Sequence, residues 1–224
     1  MEILSIGWCE MKVKKWKLII IVLFVIAIIV ALVKRQEYTN ILLDENNLKQ
    51  FFVAPLPNEI LPDSMEVYKE QLLQSPIVLR VKAVGTREYS AKTIKQQAEV
   101  LEVYKGSGIN VQEEIDILTT RNSFDFEDMT FNLGFTNLMQ KDNEYLVFFD
   151  EKINSPYKGD NIYRISDLII NPIFNYNDVE NIITPDEEYI PYSLVLNNEF
   201  IVGDSIALER ILAFKHELLE MYPR

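Results

Sequence analysis

The chain has one histidine, one cysteine and seven glycines. A lone histidine, His216, excludes a zinc site built on several imidazoles and a Ser-His dyad with a second histidine in reserve. It follows Leu212 at helical spacing and reads as a histidine at the edge of a core. A lone cysteine, Cys9, excludes a disulfide, so the fold must hold through its core. Ile6, Gly7 and Trp8 precede Cys9 where a lipobox would need Leu and two small residues, so no lipid acylation is expected. This poverty in cysteine suits a bacterial envelope protein better than a secreted eukaryotic one. With so few glycines, the only dense pair is Gly106-Ser107-Gly108. It has the spacing of a turn and lacks the helix that would follow in a phosphate loop.

Polar residues are missing altogether from Leu18 to Val33, LIIIVLFVIAIIVALV. Such a run as a helix rises about 24 Å, close to the ~30 Å hydrocarbon core of a bilayer. Lys17 and Lys34 can snorkel to headgroups and Trp16 suits the interface. The run is therefore expected to be a single transmembrane anchor, with the lipid bilayer as its partner. A cleaved signal peptide is the alternative, but neither Ala27 nor Ala31 ends a small-x-small site. A buried core helix is a third reading, and the run has no polar face to offer solvent. Lys12, Lys14, Lys15 and Lys17 before the run mildly outnumber Lys34, Arg35 and the more distant Lys49 after it, and the N-terminus is expected in the cytoplasm. Met11 opens a more ordinary basic lead, MKVKKWK, and is a second candidate start.

Beyond residue 35 the chain carries 16 Lys and Arg against 32 Asp and Glu, a net charge of −16. That surface repels nucleic acid and anionic polymers. It favours a basic partner or, more simply, reflects the solubility of an exposed domain. The expected organisation is a short cytoplasmic tail at 1–17, the anchor at 18–33, a stem at 34–62 and an extracytoplasmic domain at 63–224. Pro55, Pro57 and Pro62 make the stem extended and semi-rigid, after an amphipathic piece from Ile41 to Phe52.

Within the domain, Asp63 with Glu66 predicts a capping box opening a helix that ends by Ser75, since Pro76 disfavours helical backbone before it. From Ile77 to Val84, Ile77, Leu79, Val81 and Ala83 share one strand face. From Thr93 to Tyr104 the apolar phase slips between Ala98/Val100 and Leu101/Val103, predicting a β-bulge. Gln, Ala, Glu and Leu leave a helix open for the same segment. Ile115, Ile117 and Thr119 mark a third strand. Tyr145 to Phe149 is apolar throughout, so both faces should be covered. Tyr163 and Ile165 suggest a further strand. Leu194–Leu196 and Phe200–Val202 flank Asn197-Asn198-Glu199, which reads as a tight hairpin turn. Asp204 is a natural N-cap for a terminal helix over 204–222, with Leu208, Ile211, Leu212, Leu218 and Leu219 as its apolar stripe. The fold class expected is a β-rich α+β domain, a small OB-like barrel with a C-terminal helix.

QAEVLEVYKG from Gln97, EEIDILTT from Glu113 and KDNEYLVFF from Lys141 to Phe149 resemble bacterial domains of the tissue-inhibitor-of-metalloproteinase and netrin type. The resemblance covers about Ile77 to Glu151 and implies an OB-fold barrel with a binding role. Two departures stand out. No cysteine corresponds to the inhibitory one of the animal proteins, and Asp142-Asn143-Glu144 replaces the turn glycine usual before the Tyr-Leu strand. Protease inhibition is therefore not implied.

No catalytic, cofactor or metal residues are assigned. Asp125, Glu127 and Asp128 offer hard oxygens for calcium but lack EF-hand spacing, and a solvated loop explains them. Asp186-Glu187-Glu188 reads the same way. Phe131, Phe135, Phe148 and Phe149 can line a cavity or, more simply, a core. The function expected is that of a membrane-anchored extracytoplasmic binding or accessory module of a bacterial envelope, with a protein partner there. The alternative is an anchored hydrolase whose two carboxylates converge in a cleft with raised pKa values. A passive stem or transporter subunit is a third class, but Leu18 to Val33 has no small-xxx-small motif for helix packing.

Overall fold

The computed structural model describes residues 16–17, 19–32, 45–89, 93–119, 123–125, 127–156, 161–184 and 188–224. The chain divides into two units, Met1–Asn40 and Ile41–Arg224. In the first, residues 19–32 are helical, and large apolar side chains are exposed on every side, from Ile28 at 45% to Phe24 at 68%. Among the described residues no helix is long and apolar enough to cross a membrane. The described helix rises about 21 Å, short of the ~30 Å needed. Leu18 and Val33, the ends of the expected anchor, lie outside the described residues. So do residues 1–15 of the expected tail and 34–44 of the expected stem.

The second unit is a β-barrel with two α-helices and a small accessory sheet. Its strands are β1 (Phe52–Val53), β2 (Ile77–Tyr89), β3 (Ile94–Lys105), β4 (Glu114–Thr119), β5 (Ser123–Asp125), β6 (Thr130–Asn132), β7 (Glu144–Lys152), β8 (Ile162–Ile165), β9 (Ile173–Asn175) and β10 (Ile190–Pro191). Helix α1 spans Glu66–Leu73 and α2 spans Ser205–Met221. The barrel runs β2-β3-β4-β8-β7 and closes where Ile77–Lys82 pairs with Glu144–Phe149 of β7. All of its pairings are antiparallel except β4 with β8. Strand β9 extends the sheet beside β7. The accessory sheet is β10-β1-β6-β5.

Closure needs sharply bent strands, and β3 supplies the bends. Leu79 faces Val103 while Val78 faces Lys105, and Val81 faces Val100 while Arg80 faces Glu102. Tyr104 and Leu101 are therefore the extra residues of two bulges. The slip of apolar phase in the sequence marks the second of them, because a bulge moves the following side chains to the opposite face. Segment 94–105 is thus a strand and not the helix that its composition also allowed.

Inside the barrel, Leu79, Val81, Ala98, Val100, Ile115, Ile117, Tyr145, Val147, Phe149 and Tyr163 form one core. Leu146 and Phe148 of β7 face the other way, into a second core with Phe174, Phe200, Ile211, Phe214 and Leu218. This explains the unbroken apolar run in β7: each face has its own cover. Fully burying a side chain such as Phe148 contributes about 1.5–3 kcal/mol. A third core, with Phe51, Val53, Phe131, Ile190 and Tyr192, lies under the accessory sheet.

Several expectations are corrected. From Glu45 onward the segment expected as stem belongs to the domain, and Leu48, Phe51, Val53 and Leu56 are buried there. The capping box at Asp63 does not form; α1 starts three residues later, where Ser64 Oγ accepts the Glu66 N–H at 3.2 Å. Asn197-Asn198-Glu199 is not a hairpin turn. Tyr192–Leu194 is a 3-10 turn, and Phe200 and Val202 bridge to Thr136 and Leu56 instead. Side chains at 198 and 199 find partners inside the domain, and this outweighs a solvent-facing turn. One other expectation holds. Asp204 caps α2, its Oδ1 accepting the Ala207 N–H at 2.8 Å. Before β7, where a turn glycine was missing, Asp142 itself adopts φ +67°, which aspartate tolerates better than most residues.

Candidate functional site

A fully buried ion pair underlies the best-formed polar cleft. Ile211, Phe214 and Leu218 give α2 its buried face, and Lys215 lies on it, four residues after Ile211 and three before Leu218. Its ammonium donates to Glu199 Oε2 at 2.6 Å and to the Asn177 carbonyl at 3.0 Å. Glu199 Oε1 accepts the Asn175 N–H at 2.7 Å. The two side chains are 0% and 3% exposed. An isolated charge so placed would be prohibitively costly, so each serves as the other's solvent. Burial pushes the Glu199 carboxyl above its ordinary value. The Lys215 ammonium and the Asn175 N–H pull the other way, and the Asp178 carboxylate adds to the rise.

Carboxamides hold the segment around this pair. Asn181 Oδ1 accepts the N–H groups of both Glu199 and Phe200 at 2.9 Å. Asn198 clasps Ile182 from both ends, accepting its N–H at 3.0 Å and donating to its carbonyl at 2.8 Å. Asn137 donates to the carbonyls of Val195, Leu196 and Asn198, while its oxygen accepts the Tyr192 hydroxyl at 2.7 Å. The result is a rigid-walled cleft of about 230 Å³. Gln140, Asn143, Asn175 and Asn197 line it beside Glu199, and Leu138, Ile173 and Val179 give it an apolar side. Glu199 is its single acidic residue. The two converging carboxylates of the hydrolase reading are not assembled here.

A second cleft, of about 310 Å³, opens between the end of α1 and residues 166–168. Ser75 and Ser166 meet there, oxygen to oxygen at 2.7 Å. Asp150 and Asp167 stand beside them, and the Asp150 carboxylate accepts the Asp167 N–H at 3.3 Å. Asp167 is exposed, so this cleft does not bury an acidic pair.

The residues singled out in sequence fall elsewhere. His216 is not at the edge of the core: its side chain is 57% exposed, 3.4 Å from Asp178, because it sits one position past the buried face. Its neighbour Lys215 takes the buried place. Asp125 spends Oδ1 on the N–H groups of Glu127 and Asp128, and the described residues hold no group of His, Cys, Asp and Glu suited to a metal ion. Asp186 and Glu187 lie outside the described residues. Phe131, Phe148 and Phe149 are buried core residues, and Phe135 is half-buried with φ +57°. Lys215 and Glu199 were missed. The signal for Lys215 was its helical spacing with Ile211 and Leu218, a lysine on an apolar stripe. Glu199 gave no comparable sign. Compared with known protein families and with curated proteins, the chain matches none.

Proposed function

We propose that the chain is a membrane-anchored, extracytoplasmic binding or accessory module of a bacterial envelope. The observation that carries this reading is a preformed polar cleft whose one acidic residue, Glu199, is neutralised by Lys215. A rigid polar cleft without reactive groups suits recognition. The one carboxylate in it, Glu199, is held by Lys215 and by the Asn175 N–H, which leaves it poorly placed to exchange protons with a substrate.

The strand order β2-β3-β4-β8-β7, with its single parallel pair, supports an OB-like barrel. The all-apolar helical segment at 19–32 supports anchoring, because its exposed surface is unfavourable in water on every side. Basic residues before it support a cytoplasmic N-terminus.

Fractionation of the full chain in a bacterial host tests the reading. The full chain is expected to stay with membranes through an alkaline wash, and a chain lacking 18–33 to be released. Brief crosslinking and capture from the same membranes should recover an envelope partner dependent on the barrel domain. A full chain recovered in the soluble fraction would sink the anchoring part of the proposal.

A further inference from the structure

We infer that the cleft above the Glu199–Lys215 pair takes one uncharged, hydroxyl-bearing ring: a sugar residue. This deepens the binding reading and rests on it. Charge comes first. Glu199 and Lys215 neutralise each other at 2.6 Å, so the cleft has no unpaired charge with which to hold a phosphate, a carboxylate or an ammonium group.

Its polar lining is carboxamide. Gln140 Nε2 donates to the Leu138 and Leu196 carbonyls and Asn175 Oδ1 accepts the Asn177 N–H, which leaves an acceptor on Gln140 and a donor on Asn175 for a ligand, and a sugar hydroxyl both donates and accepts. An anionic ligand, which only accepts, would leave the carbonyls unpaired, and an apolar one would leave both ends unpaired. Asn197 lines the cleft, is exposed and makes no hydrogen bond among the described residues, so its donors and acceptor are open to a ligand. Val179, half-buried at the cleft, adds an apolar surface for the C–H face of a ring.

Size and rigidity agree with a single unit. About 230 Å³ is below the ~300–1,000 Å³ of clefts that hold drug-sized ligands, so there is room for one ring and not for a chain. Asn137 and Asn198 spend their carboxamides on fixing the walls, which lowers the ordering cost of binding.

The test uses the full chain in lipid nanodiscs, with glucose, galactose and N-acetylglucosamine as probes, read by saturation-transfer NMR and titration calorimetry. At least one saccharide is expected to bind in the millimolar range. Asn197→Ala should weaken it by about 5–10-fold, a single hydrogen-bonded group's worth. Val179→Trp, which fills the cleft, should abolish it. Both variants are checked for an unchanged thermal midpoint, and Asn197→Ser replaces Asn197→Ala if that variant is unstable. No binding of any of the three sugars overturns the inference. So does binding that both cleft variants leave intact, or tighter binding of inorganic phosphate or of a neutral dipeptide. Capture of the envelope partner is run in parallel with Asn197→Ala. If the partner is still recovered while no sugar binds, the inference fails and the binding reading stands.

Discussion

The Lys215 ammonium lies 2.6 Å from the Glu199 carboxylate, and the pair joins α2 to the segment that enters it with both side chains out of solvent. Removing one partner leaves the other charged and buried. Lys215→Met in the full chain is therefore expected to lose about 3–5 kcal/mol in a denaturant titration. The double variant Lys215→Met with Glu199→Leu should recover much of that loss, because no lone charge remains. A double variant as unstable as the sum of the singles would show that the pair is not coupled.

The same pair makes stability depend on pH. Burial raises the Glu199 carboxyl above its unfolded value, so between the two values the native state holds the proton more firmly than the unfolded chain. Stability from this group is full below about pH 4.3, the ordinary value for glutamate, and is lost as pH rises through the raised native value. Glu199→Gln removes the titration. Its stability, measured against pH, should fall less steeply than the parent's across that window, and parallel curves would refute the shift.

Gly134 has φ +59°, and a β-carbon there would come within 2.7 Å of the Asn171 side chain. That carboxamide cannot simply swing away, because it donates to the Leu133 carbonyl at 2.7 Å. Gly134→Ala is expected to cost several times more than Gly108→Ala, as seen in thermal unfolding. Gly108 has φ +71° but open space around it, so only the left-handed backbone penalty of about 1–2 kcal/mol applies.

Tyr163 is fully buried in the barrel, and its hydroxyl finds no hydrogen-bond partner among the described residues. Its ring is well used, packed edge-on against Phe149 at 5.7 Å with the Lys152 ammonium 5.2 Å from its centroid. Tyr163→Phe keeps the ring and removes the unpaired group, so stability should be unchanged or rise by about 1 kcal/mol. A clear loss on denaturation would reveal a partner for the hydroxyl.

Local periodicity carried much of the barrel into view. Ile77 to Ala83 alternates, the slip at Leu101 marks a bulge, and Tyr145 to Phe149 declares a strand covered on both sides, because strand pairing and burial act residue by residue along the chain. Asp204 is a similar case, since an N-cap involves only its own next turn. These features need nothing from distant sequence.

The cleft is different in kind. Glu199 looks like part of a polar turn until α2 folds back and sets Lys215 beside it, and Asn198 looks solvent-facing until Ile182 meets both ends of its carboxamide. Whether a polar side chain is exposed or becomes a buried partner depends on which groups the closed barrel brings within 3 Å. The sequence by itself determined the apolar run at 18–33, the acidic surface, the strand periods and the cap of the last helix. Only the tertiary structure decided that residues from 45 onward join the domain, that Lys215 and not His216 is buried, and that carboxamides from three separate segments surround one cleft. Those are matters of long-range juxtaposition, and hydrogen bonding of buried polar groups settles them only once the chain has closed on itself.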